Sequence, residues 1–172
     1  MDPLTGVANR RQLVLCGEEE LARNRRYNGR LSLVMVDIDR FKAINDRRGH
    51  ATGDRVIQAV AGAMVEITRE QDVVGRLGGE EFLLILTETD GQGALANAER
   101  LRESIQNMEL VTSDDNQTVR FTISAGVTTY YPGDITFAGM LGRADKALYA
   151  AKNAGRNQVV AVWPEARVGN VA

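Results

Sequence analysis

Apolar residues recur along this chain with two spacings, every three to four positions and every second position, and the switches between them mark its elements. After a turn-rich opening at Asp2-Pro3 and Thr5-Gly6, NRRQLVLCGEEELARNRRYNG reads as an amphipathic helix, with Asn9 as the expected N-cap and Gly29 as the expected stop. Residues 30–39, RLSLVMVDID, are apolar on both faces until Asp37, which predicts a strand buried in the middle of a sheet. A short helix is expected around FKAIND. GDRVIQAVAGAMVEITRE then sets Val56, Ile57, Val60, Ala61, Met64 and Val65 on one helical stripe. QDVVGR and EFLLILTET flank Gly78-Gly79, a two-residue hairpin signal between strand-like runs. QGALANAERLRESIQNM predicts a third long helix and VRFTISAGVTTYY a strand. ITFAGMLGRADKALYAAKNAG predicts a helix closed by Gly155, and RNQVVAV a last strand.

The order α, β, α, α, β, β, α, β, α, β, with one central hairpin and helices between the other strands, predicts a ferredoxin-like α+β sandwich: a mixed sheet with helices on its faces. One domain over residues 1–163 is expected, followed by a frayed tail at residues 164–172. Composition changes this picture only by exclusion. With 44% hydrophobic and 26% charged residues, the chain has the make-up of an ordinary globular protein. A formal net charge of -2 gives no basic footprint for a nucleic-acid polymer, whereas a compact anionic ligand remains compatible. The single cysteine, Cys16, cannot form an internal disulfide, which fits a reducing, cytoplasmic setting; it reads as a small helix-face residue. The longest apolar run, LSLVMV, is far short of the ~18 residues a membrane span needs, so no membrane contact by this chain is expected.

The chemistry is carried by acids. Asp37 and Asp39 share one side of the first strand, since side chains alternate. Asp37 ends an apolar run, where a carboxylate is costly to desolvate without a partner. Taken singly, Asp37 reads equally as a strand-end acid capping the next helix, and Glu80 and Glu81 as solvated hairpin residues. If the hairpin lies beside the first strand, however, Asp37, Glu80 and Glu81 meet at one end of the sheet. Three carboxylates there repel one another unless a cation joins them. Such hard oxygen ligands suit Mg²⁺, which completes its shell with waters and substrate phosphates. The glycines let a triphosphate approach the backbone.

Four stretches, DPLTGVANRR, DIDRFKAINDRRGHATGD, GGEEF and ADKALYAAKNAGRN, together resemble the diguanylate cyclase (GGDEF-domain) family, in its order and spacing, over about residues 2–160. A lone GGEEF would be weak; four collinear motifs are specific. The resemblance implies a polymerase-palm-like fold and the condensation of two GTP into cyclic di-GMP, with two pyrophosphates released. It implies Mg²⁺, with Mn²⁺ as a substitute, held by Asp37, Glu81 and the backbone carbonyl of Ile38. Glu80 is implicated in both metal binding and activation of the ribose 3′-hydroxyl, a division the sequence leaves open. Gly78 and Gly79 would lie against the nucleotide. Asn45 and Asp54 match the pair that reads guanine, a carboxylate accepting from donors that adenine lacks; helix capping is their alternative. Phe41 and Lys42 open a helix whose free N–H groups would face phosphates. Lys152 and Arg156 match the triphosphate cations, although cations at a helix C-terminus are favoured by its dipole in any case. His50 and Gly53 read as structural, shaping a turn before Asp54; no second histidine exists to make His50 a metal ligand. Val7 and Leu77 depart from the family's commoner leucine and aromatic without touching a metal or base-reading group.

REQD, residues 69–72, stands five residues before Gly78, the family's spacing for an inhibitory product site. Arg69 would engage guanine or phosphate through its planar fork, and Asp72 the guanine donors; a solvated ion pair is the alternative. The product has two-fold symmetry, so a homodimer with facing half-sites is expected for catalysis. The chain begins almost at the family's first motif, and an N-terminal regulatory domain outside it is expected to drive pairing. The rival to the enzyme is a catalytically silent module binding GTP or cyclic di-GMP.

Overall fold

In the computed structural model, which describes residues 1–112 and 115–165, the run Leu31–Ile38 forms β1 and is buried without a break. Around it, in chain order, lie α1 (Arg10–Tyr27), α2 (Phe41–Arg48), α3 (His50–Ile67), β2 (Val73–Gly78), β3 (Glu81–Thr87), α4 (Gly91–Gln106), β4 (Leu110–Val111), β5 (Thr118–Val119), β6 (Ile123–Thr129), α5 (Phe137–Asn153) and β7 (Val159–Ala161). The main sheet has the order β2-β3-β1-β6-β7. β1 runs antiparallel to both β3 and β6, and only β7 joins in parallel, beside β6. That is the expected ferredoxin-like arrangement, extended by one parallel edge strand, and the sheet is mixed for that reason.

Alternation along β1 divides the core. Val34, Val36 and Ile38 face α3 and α4, whose Val56, Val60, Met64, Ala98 and Leu101 fill one layer. Leu31, Leu33 and Met35 face α1 and α5, against Leu13, Leu21, Met140 and Leu148. Cys16 is a free thiol, half-buried against this second layer. α5 lies unusually close to the sheet. A Cβ added at Gly126 of β6 would sit 2.2 Å from the Leu148 amide nitrogen and 2.4 Å from the Ala144 carbonyl oxygen. Only a residue without a side chain permits that approach.

Local chemistry accounts for the ends. Asn9 caps α1 in a reciprocal pair with Gln12, as expected, but the stop is Asn28, in the left-handed conformation at φ 50°, and not Gly29. The turn before Asp54 sits at Gly49, φ 84°, so His50 and Gly53 belong to α3 instead of shaping that turn. The run expected as one strand from Val119 is interrupted, and its start pairs with Leu110–Val111 in a separate two-stranded ribbon. The tail expected from residue 164 falls, from residue 166 onward, outside the described residues.

Candidate active site

The β1–β3 register sets Asp37 directly opposite Glu81, and the Ile38 N–H donates to the Glu80 carbonyl at 3.2 Å. Asp37 continues the Leu33, Met35 alternation and Glu81 that of Leu83 and Ile85, so both acids belong to the face covered by α5. From α5, the Lys152 ammonium donates to Asp37 Oδ2 at 2.7 Å. Asp37 is only 6% exposed. Burial raises its pKa to about 6; Lys152 opposes this, while the neighbouring charges of Glu80 and Glu81 add to it. Among the described residues, no three acidic, histidine or cysteine side chains are already drawn into a metal-binding group. The donor set nevertheless fits a hard divalent cation. Two carboxylates share one end of one face, a third acid adjoins them, they repel one another electrostatically, and a positive group has already been drawn onto the most buried of them.

The acidic turn is held from outside. Its two turn residues are Gly79 and Glu80, not the expected Gly78-Gly79, because β2 carries a bulge between Arg76 and Gly78. Gly79 takes φ 51°, and an added Cβ at Gly78 or Gly79 would meet nothing within 4 Å, so the backbone here is open to a ligand. Arg76 Nε donates to the Gly79 carbonyl at 2.9 Å, while Arg76 Nη1 pairs with Asp2 at 3.2 Å. Asp2 in turn accepts from the Thr5 amide and hydroxyl. Ala8 bridges to Gly75 along the free side of β2. The DPLTGVANRR stretch thus acquires a physical role that its sequence alone did not disclose: it clamps the hairpin that carries Glu80 and Glu81.

α2 opens immediately beyond β1. Arg40, at its N-cap, is left-handed at φ 54°, and no side chain caps the first turn, which begins with Phe41 and the exposed Lys42. Asn45, on α2, has a buried Oδ1 with no hydrogen-bond partner among the described residues. A Cβ on Gly53 would come within 1.9 Å of that oxygen, so Gly53 is what lets α3 lie against Asn45. Asp54 follows it and is exposed. Neither residue caps a helix: Asn45 is inside α2 and Asp54 inside α3. An orphaned buried acceptor beside an exposed carboxylate suits a ligand that presents several N–H donors. His50 is exposed at the first position of α3.

At the other end, Lys152 pairs with Asp37, while Arg156 lies past the end of α5, exposed and left-handed at φ 64°. The loop carrying Arg156 is fixed by Asp39, whose role escaped the sequence reading. Asp39 is 6% exposed and accepts from Thr122 Oγ1 at 2.7 Å, Ser124 Oγ at 2.6 Å and the Asn157 N–H at 2.9 Å. Arg69 and Asp72 lie away from this cluster, in the turn before β2. Arg69 is exposed; Asp72 accepts from the Arg69 N–H at 2.9 Å and the Thr87 N–H at 3.1 Å, so its carboxylate already pins the turn. Among the salt bridges of the described residues, the Arg69 and Asp72 side chains do not pair with each other; their contact is through the Arg69 N–H.

The family model for the diguanylate cyclase GGDEF domain matches residues 1–158. Diguanylate cyclase A of Treponema denticola is 43% identical over 129 residues, 75% of this chain and 34% of that protein. Diguanylate cyclase DgcP of Pseudomonas aeruginosa is 40% identical over 158 residues, 92% of this chain and 23% of that protein. The chain therefore spans about a third or less of the length of these relatives. Among solved structures, the GGDEF domain of DgcB from Caulobacter crescentus, in complex with c-di-GMP, superposes with a TM-score of 0.91 at 33% identity, covering 94% of this chain and 92% of that one.

Proposed function

Because the chain belongs to the diguanylate cyclase GGDEF-domain family, we propose that it condenses two GTP into cyclic di-GMP, releasing two pyrophosphates. The observation that carries the reading is the register of the two central strands, which faces Asp37 with Glu81 at the sheet end where Glu80 turns. Asp37, Glu81, the Ile38 carbonyl and Glu80 would hold Mg²⁺, or Mn²⁺ in its place. When bound, such an ion neutralises developing charge on the phosphates and acidifies a coordinated hydroxyl.

The chain's own groups do the rest. The uncapped start of α2, at Phe41 and Lys42, offers N–H donors to phosphate oxygens. The open backbone of Gly78 and Gly79 gives the nucleotide a ledge. Asn45 and Asp54 accept from guanine, and the orphaned Oδ1 of Asn45 gains there the partner it lacks. Arg156, and Lys152 once it leaves Asp37, meet the triphosphate. In each half-reaction the ribose 3′-oxygen forms a bond to the α-phosphorus of the facing GTP. The bond from that phosphorus to the bridging oxygen breaks, pyrophosphate leaves with the electron pair, and the hydroxyl proton passes to solvent. The protein's share is alignment and charge neutralisation.

One GTP site per subunit and a two-fold product require two copies face to face. Pairing is driven by a regulatory domain outside this chain, and cyclic di-GMP acts as product inhibitor at Arg69 and Asp72. With GTP as its substrate, the domain works in the cytoplasm. Among the described residues no helix is long and apolar enough to cross a membrane.

The test is incubation of the purified chain with GTP and Mg²⁺, followed by separation of nucleotides. Cyclic di-GMP is expected, with activity per subunit falling on dilution and turnover lost in Glu81→Ala. GTP that is bound but unchanged at high protein concentration would leave a silent binding module instead.

A further inference from the structure

Lys152 is in an unexpected place for a triphosphate ligand. Its ammonium sits 2.7 Å from Asp37 Oδ2, on the acid that the proposed reading gives to the divalent cation. The Asp37 side chain is 8% exposed, whereas that of Lys152 is 32% exposed, so the carboxylate is fixed and the lysine has room to swing. The α5 backbone is packed tightly on the sheet, with Ala144 and Leu148 against Gly126. The half-buried four-carbon stem of Lys152 is therefore the part free to move.

We propose that Lys152 is an internal counter-ion that makes divalent-cation binding conditional on nucleotide: it occupies Asp37 in the empty protein and gives it up to the cation only when a triphosphate offers the ammonium another partner. Two cations cannot share Asp37 Oδ2 without strong repulsion. A cation arriving alone must strip Lys152 from its only ion-pair partner among the described residues and leave it unpaired beside the site. A cation arriving with a triphosphate meets no such penalty, since the phosphate oxygens take over the ammonium. Linkage then requires the converse, with GTP gaining from the cation the same factor that the cation gains from GTP. Glu80 and Glu81 strengthen the argument, since their charges make an uncompensated Asp37 still less favourable and hold the lysine in place when the site is empty. The inference rests on Asp37 being a metal ligand, as proposed above.

The experiment measures Mn²⁺ itself, without nucleotide, by the loss of the free-ion paramagnetic resonance signal on titration with protein. Wild type is expected to bind weakly. Lys152→Met and Lys152→Gln are each expected to bind about tenfold more tightly, within the usual range of coupling between sites. Lys152→Arg, which keeps the charge, is expected to stay near wild type. Adding Asp37→Asn to Lys152→Met should return binding to the weak level. Two neutral replacements guard against one of them failing to fold. Equal or weaker Mn²⁺ binding in the folded neutral variants overturns the proposal. Turnover of GTP by wild type is followed in parallel. Cyclic di-GMP production with unaltered Mn²⁺ affinity in the variants removes the counter-ion role alone. No production, with tighter Mn²⁺ binding in the variants, removes the cyclase reading and keeps the counter-ion.

Discussion

Replacing Asp37 by asparagine should make the folded protein more stable while disabling it. Asp37 ionises at about 6 where an aspartate ordinarily ionises at 3.8, chiefly because it is buried. A difference of about 2 pH units, at about 1.4 kcal/mol each, means that its charge opposes folding by about 3 kcal/mol at pH 8. The sign follows from proton counts. Between about pH 4 and pH 6 the folded state keeps a proton that the unfolded state has released, so stability declines as pH rises through this window and is level above it. Asp37→Asn carries no such charge. The Lys152 pair already opposes this shift, so its loss is included in that figure. A net gain of up to about 3 kcal/mol at pH 8 is expected, falling to about half at pH 5 and to little near pH 4. Urea unfolding of both proteins at these three pH values, followed by circular dichroism, measures it. Turnover should drop at least about a hundredfold. An Asp37→Asn protein that is less stable than wild type at pH 8, or a gain indifferent to pH, would refute the reasoning.

Gly126→Ala should destabilise by about 3 kcal/mol in urea, because the added methyl meets helix backbone, which cannot rotate away as a side chain would. Asp39→Ala removes the acceptor for Thr122, Ser124 and Asn157; a loss of about 3 kcal/mol is expected, and Asp39→Asn, which keeps one acceptor, should lose less and raise the KM for GTP more than it lowers kcat. Arg69→Ala and Asp72→Ala should both relieve inhibition by added cyclic di-GMP. Only the second should lower stability, by about 1–2 kcal/mol, since two backbone N–H groups lose their acceptor.

The central strand, the hairpin and the convergence of Asp37 with Glu81 were legible because each is written in a local pattern: an unbroken apolar run, a glycine pair, an acid at a run's end. What was not legible depends on residues distant in sequence or on geometry without a pattern. Asp39 shares its side of the strand with Asp37 and looks no different from it, yet its three partners lie 83 to 118 positions away. The Lys152 contact spans 115 positions. The hairpin turn is one residue later than the glycine pair suggests, because a bulge leaves no mark in composition. α3 begins before Gly53, although glycine is a poor helix former, because only glycine fits beside Asn45. Two-residue strands such as Leu110–Val111 are too short to show any period.

The acids and the cations are mounted on parts of the sheet that differ in durability. Asp37 and Glu81 belong to β1 and β3, interior strands with neighbours on both sides, whereas the Arg156 loop leads into β7, three half-buried residues at the rim. Local opening begins where few contacts must be broken. On warming, amide exchange should therefore appear first around Arg156 and last around Asp37. The proposed grip on phosphate should fade over a range of temperature, while the proposed grip on the ion should persist until the whole sheet melts at once.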